Sequence, residues 1–136
     1  MERLKQILFD MQSKYAGFEW VGFYFMNHES MVLELGPYLG EATDHVVIPF
    51  GKGICGQVAV SGQTYHAPDV QSEDNYIACS LETKSELVIP IFDAEGILVA
   101  QLDIDSHSSN TFSESTVEEL EKLCEMIGQN WEAYTS

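Results

Sequence analysis

The stretch from Glu86 to Asp105 constrains this chain more than any other. Glu86–Phe92 and Ile97–Asp105 are apolar-rich runs joined by Asp93-Ala94-Glu95-Gly96, a pattern that predicts an antiparallel hairpin. Successive side chains on a strand point to opposite faces. Asp103 and Asp105 therefore share one side of the second arm, and Leu102 and Ile104 face the core from the other. The chain ends supply material for that core. Leu4, Ile7, Leu8, Met11 and Tyr15 recur at helical spacing, with Gly17 as a stop. Near the other end Ser113 can cap a helix whose buried stripe is Val117, Leu120, Cys124, Ile127 and Trp131, with Phe112 and Val117 placed as a hydrophobic staple.

Between these elements, Glu19–Met26 and Ser30–Leu35 flank a turn at Asn27-His28-Glu29 and predict a first hairpin. From Gly36 to Phe50 the pattern breaks up into what reads mostly as loop, with Val46–Pro49 as a strand or an extended segment. Ile54–Ser61 predicts a short helix ended by Gly62, with Cys55 in its first turn. The glycines of Gly51-Lys52-Gly53 lack phosphate-loop spacing and are expected to permit tight turns. Beyond Thr64-Tyr65-His66 the chain is polar until Ser85, a length expected of a loop that covers a site. This order of elements predicts an α+β fold with an antiparallel sheet, in a single domain spanning residues 1–136.

Twenty-two acidic residues against six basic ones give a formal charge of −16, which repels phosphate backbones and anionic lipid headgroups. No nucleic-acid or membrane partner is expected. The longest apolar run is only Leu87–Phe92, and Met1-Glu2-Arg3 opens no signal-peptide core, so a soluble cytoplasmic protein is expected. In that compartment Cys55, Cys79 and Cys124 start as thiols. Any disulfide among them would be transient and chemical.

Three groups of residues suggest chemistry. Trp20, Gly22 and Tyr24 project from one strand face, with glycine leaving a notch between two rings that suits a methyl or thioether group; core packing is the plainer reading. Asp103 and Asp105, joined by Glu86 from the paired strand, cannot all ionise cheaply. At least one should hold a proton near neutral pH and could donate it to a sulfoxide oxygen. A solvated strand end or a divalent-cation site are the alternatives. Cys79 lies in a polar loop and Cys55 at a helix start, so either could be the nucleophile; a sulfenic acid on one would condense with the other. Cys124, on the apolar stripe, reads as core. His28, His45, His66 and His107 have no metal-ligand spacing, and no metal or other cofactor is expected.

With these residues in view, the chain resembles the free methionine-(R)-sulfoxide reductase family, which is built on a GAF domain. The similarity runs from about Glu19 into the last helix. It is carried by Trp20-Val21-Gly22-Phe23-Tyr24, the run Ile48 to Gly56, Pro68-Asp69-Val70, Ile77-Ala78-Cys79, Ser85 to Pro90, and Leu102-Asp103-Ile104-Asp105-Ser106. The resemblance implies a sheet of about six antiparallel strands, with N- and C-terminal helices on one side and a ligand pocket under loops on the other. It implies that Cys79 attacks the sulfoxide sulfur, that Cys55 is a disulfide partner, and that Trp20 and Tyr24 cage the methylthio end. Glu86, Asp103 and Asp105 match the family's acidic pocket residues. A thioredoxin-like reductant, and possible homodimers, belong to the same expectation. Family enzymes commonly carry a further cysteine where this chain has His45, and often an aspartate and a histidine where it has Ser80 and Tyr76. A GAF domain that binds a small molecule without turning it over is the alternative.

Overall fold

The computed structural model describes residues 1–73 and 82–136. In chain order the elements are α1 (Glu2–Lys14), β1 (Trp20–Asn27), β2 (Val32–Leu39), β3 (Val47–Pro49), α2 (Gly53–Ser61), β4 (Tyr65–Ala67), a 3₁₀ turn (Val70–Ser72), β5 (Ser85–Phe92), β6 (Leu98–Ser106), α3 (Glu114–Gln129) and α4 (Trp131–Thr135). The strands form one sheet in the order β3-β2-β1-β6-β5-β4, with every neighbouring pair antiparallel. The hairpin β5–β6 thus lies against β1, and the arm bearing Asp103 and Asp105 is at the centre of the sheet.

The two-residue period sorts side chains into two cores. Val21 and Phe23, Leu87, Ile89 and Ile91, and Leu102 and Ile104 pack with Leu4, Leu8 and Met11 of α1 and with Leu120, Cys124 and Ile127 of α3. Each such aliphatic side chain, fully buried, contributes about 1.5–3 kcal/mol. On the opposite face Trp20, Tyr24, Leu33, Ile48 and Val88 pack with Ile54, Cys55, Val58 and Ala59 of α2. The terminal helices therefore share one side, as expected. The second side is covered in part by a helix, α2, and not by loops alone. Among the described residues no helix is long and apolar enough to cross a membrane.

Three boundaries differ from the expectations. Strand β2 runs through Gly36-Pro37 to Leu39, where a loop was expected. The register slips by one residue there, because four β2 residues, Leu35 to Tyr38, face three of β1, Gly22 to Tyr24. Gly36 is a close approach rather than a turn: a Cβ at that position would come within 2.5 Å of the Phe25 ring. Tyr65–Ala67, for the most part left unassigned ahead of the expected covering loop, pairs with β5 as an edge strand. The last helix breaks at Asn130 (φ −120°, ψ 31°), so Trp131 begins α4 and sets its ring edge-on to Phe25 at 5.9 Å. The caps are as expected: Ser113 Oγ accepts from the Thr116 amide, and α2 stops at Gly62. Residues 74–81, including Cys79, lie outside the described residues.

Candidate active site

Register alone brings the acidic residues together. Trp20 of β1 stands opposite Asp105 of β6, and Asp105 opposite Glu86 of β5. One step along, Gly22 stands opposite Asp103, and Asp103 opposite Val88. All of these point to the side occupied by α2, whose first turn carries Cys55. The Cys55 Sγ, a Glu86 oxygen and an Asp103 oxygen lie within 4.8 Å of one another. Glu86 is 3% exposed, Asp105 1% and Asp103 not at all. The solvated strand end is thereby excluded.

Such crowding disfavours ionisation of all three carboxyls together. Burial, then the charges of Asp103 and Asp105, push the Glu86 carboxyl well above the ordinary glutamate range. Burial also raises Asp103, but proton sharing with Glu86 and Cys55 and the charge of His45 work against that shift. Of these two carboxyls, Glu86 is pushed the more strongly toward its protonated form. Neither Asp103 oxygen has a well-directed hydrogen bond among the described residues, although Glu86 and Cys55 approach closely enough to share a proton with it. A buried carboxylate so poorly solvated favours a cationic partner. Cys55, Glu86 and Asp103 are the grouping among the described residues that could take a metal ion. The cluster offers three donors, one thiol and two carboxylates, fewer than a closed four-coordinate zinc site or a six- to eight-coordinate calcium site uses.

The aromatic wall is built next to the acids. The notch expected above Gly22 is filled by the Trp20 indole itself, since a Cβ on Gly22 would lie 2.5 Å from Trp20 Cη2. The indole is fixed by three contacts. It stacks on Tyr38 at 5.4 Å, faces Tyr24 at 6.3 Å, and donates from Nε1 to the Glu41 carbonyl at 3.0 Å. Tyr24 is fully buried and donates its hydroxyl hydrogen to the His45 carbonyl at 2.9 Å.

The sequence reading missed Tyr38, whose place on this face depends on the slip at Gly36-Pro37 that interrupts the two-residue period. It also missed Gln101, which leaves β6 two residues before Asp103 and donates from Nε2 to the Cys55 carbonyl at 3.0 Å. The alternation that placed Asp103 and Asp105 would have placed Gln101 beside them. Cys124 lies in the other core, where burial, then the charge of Glu121, push its thiol up.

The sequence profile of the GAF domain matches residues 2–131. The chain belongs to the GAF family. The domain is 39% identical over 112 residues to the free methionine-R-sulfoxide reductase of Saccharomyces cerevisiae, an alignment covering 82% of this chain and 62% of the yeast protein. It thus spans less than two thirds of that relative's length. Among solved structures, the free methionine-R-sulfoxide reductase of Neisseria meningitidis in complex with its substrate superposes with a TM-score of 0.89 at 34% identity, over 96% of this chain and 77% of that one. The type II enzyme of Thermoplasma acidophilum gives the same TM-score at 28% identity, over 98% and 92%. The GAF domain described here is therefore a member of the free methionine-R-sulfoxide reductase family.

Proposed function

We propose that this GAF domain reduces free methionine-R-sulfoxide to methionine. The observation that carries the reading is a buried Glu86 clustered with Asp103 and the Cys55 thiol beside an aromatic wall, a setting that pushes its carboxyl toward the protonated form. Each part suits a portion of the substrate. Asp103 and Asp105 offer negative charge to an α-ammonium group, which a methionine inside a polypeptide lacks, so a free amino acid is favoured. Trp20 and Tyr24 offer apolar ring surface to the methylthio end. Glu86 offers a hydrogen to the sulfoxide oxygen, which can only accept one.

In the first step the Cys79 thiolate attacks the substrate sulfur to form a transient S–S bond while Glu86 protonates the oxygen; the S–O and S–S bonds to the substrate sulfur then break as the hydroxyl passes to Cys79. Methionine and a Cys79 sulfenic acid result: the substrate gains two electrons and the cysteine loses them. In the second step Cys55 attacks the sulfenic sulfur, an S–S bond forms and water leaves. A thioredoxin-like dithiol then exchanges with the disulfide and restores both thiols. The assignment of Cys79 rests on the family resemblance, since that residue lies outside the described residues.

A second reading, a GAF domain that binds a small metabolite without turnover, is favoured by one feature: His45, where family enzymes commonly have a third cysteine. Reaction with one equivalent of methionine-R-sulfoxide, without reductant, separates the two. The reductase reading expects one methionine per chain and a Cys55–Cys79 linked peptide by mass spectrometry; unchanged sulfoxide with both thiols free would leave the binding module.

A further inference from the structure

Gln101 has no exposure to solvent, yet it carries a primary amide into the core beneath α2. Its strand neighbours in register are Tyr24 on β1 and Pro90 on β5, a setting that an aliphatic side chain of similar size would fill without burying polar atoms. Its Oε1 is buried and has no hydrogen-bond partner among the described residues, so burial of the amide is only partly compensated. The orientation of the amide is fixed by its one partner, because the reverse orientation would set Oε1 against the Cys55 carbonyl. What the glutamine does accomplish is a tie between two elements. Helix α2 has no side-chain N-cap of its own, and the Gln101 hydrogen bond joins its first turn to the strand that carries Asp103 two residues on.

We propose that Gln101 is a positioning residue for Cys55: its amide pins the first turn of α2 to β6 and so holds the thiol over the Asp103 carboxylate. The tie acts on the backbone of the residue that bears the sulfur, so releasing it lets the thiol move relative to the acids while the rest of both cores stays in place. The inference builds on Cys55 being the resolving thiol, and its test is arranged so that the two can fail separately.

The test uses the full chain carrying Cys79→Ser, which leaves Cys55 and Cys124 as the two thiols, with and without Gln101→Leu. Alkylation of each is followed by peptide mass spectrometry in the absence of substrate. Loss of the tie should accelerate Cys55 labelling by roughly tenfold through local opening, with Cys124, in the opposite core, unchanged. Cys55 labelling that does not change, or that rises in parallel with Cys124, would overturn the proposal, because parallel change reports general loosening. If the leucine variant does not fold, exchange of the Gln101 side-chain amide hydrogens in the unsubstituted protein decides the matter. Protection relative to exposed glutamines such as Gln63 supports the tie, and equal exchange refutes it. A further arm, with Cys79 present, compares disulfide formation with methionine release after one equivalent of sulfoxide. Gln101→Leu should lower the ratio of those rates, and an unchanged ratio counts against the proposal. Failure of the unsubstituted protein to release methionine would instead strike the reductase reading, leaving the labelling result to stand for Gln101.

Discussion

The Trp20 indole lies flat across Gly22, so near that a single added methyl would meet its Cη2 at 2.5 Å and the Cβ of Tyr38 at 2.8 Å. The absence of a side chain at residue 22 is what permits the ring to stack between Tyr38 and Tyr24. Gly22→Ala should displace the indole and destabilise the domain by about 1–3 kcal/mol, as overpacking does in a filled core. The KM for methionine-R-sulfoxide should rise about tenfold, equivalent to roughly 1.4 kcal/mol of lost wall contact. Denaturant melts and steady-state kinetics on the same preparation check both.

Glu86 gives a prediction with a definite sign. Its folded-state carboxyl titrates above the unfolded one, so the stability it contributes is fully present below the ordinary glutamate range and is lost as pH rises through the raised folded value. Glu86→Gln mimics the neutral form and cannot ionise. The variant should match the wild type in stability at acidic pH and exceed it as pH climbs above the ordinary carboxylate range. Its turnover should nevertheless fall on the order of a hundredfold, because the amide supplies no acidic proton. Urea titrations across pH, set beside rates, would expose an error in either half.

Much of this site could be read before any coordinates, because strand alternation is a strong rule where a sheet is buried on both sides. It placed Asp103 and Asp105 together, set them against Leu102 and Ile104, and brought Glu86 alongside from the paired arm. The rule gave no guidance where the period is broken. At Gly36-Pro37 the composition signals a turn, but these residues form a bulge in β2. Past Leu35 that strand has left its pairing with β3, so proline, which has no N–H, is tolerated there. Tyr65–Ala67 was hidden by brevity, since three residues are too few to show a period. The filled space above Gly22 was beyond the sequence for another reason: a side chain's rotamer depends on neighbours such as Tyr38 and the Glu41 carbonyl, which only the fold supplies.

His45 lies beside the acid cluster, and its carbonyl accepts the Tyr24 hydroxyl hydrogen. If the chain is a reductase working with two thiols, His45→Cys should supply a third near the site and raise turnover with thioredoxin. In a binding module the same substitution would leave turnover absent. Coupled rates for the variant and its parent give the comparison directly.

Cys124 should behave as packing. Its thiol is 1% exposed within the core formed by α1, α3 and the sheet. Cys124→Ala should cost about 1 kcal/mol of stability, comparable to trimming one buried methyl group. Turnover should be retained, as measured by methionine release. A variant that folds normally and yet loses activity would mean that the redox role has been given to the wrong cysteine.

The claim on which the account turns is that a nucleophilic sulfur and a proton-bearing acid act on one sulfoxide in the same chamber. The most direct measurement is NADPH oxidation by thioredoxin reductase and thioredoxin, with free methionine-R-sulfoxide added to the wild type and to Cys79→Ser. The account predicts substrate-dependent NADPH consumption by the wild type and none above background by the variant. No consumption by the wild type, or an equal rate in Cys79→Ser, would contradict it.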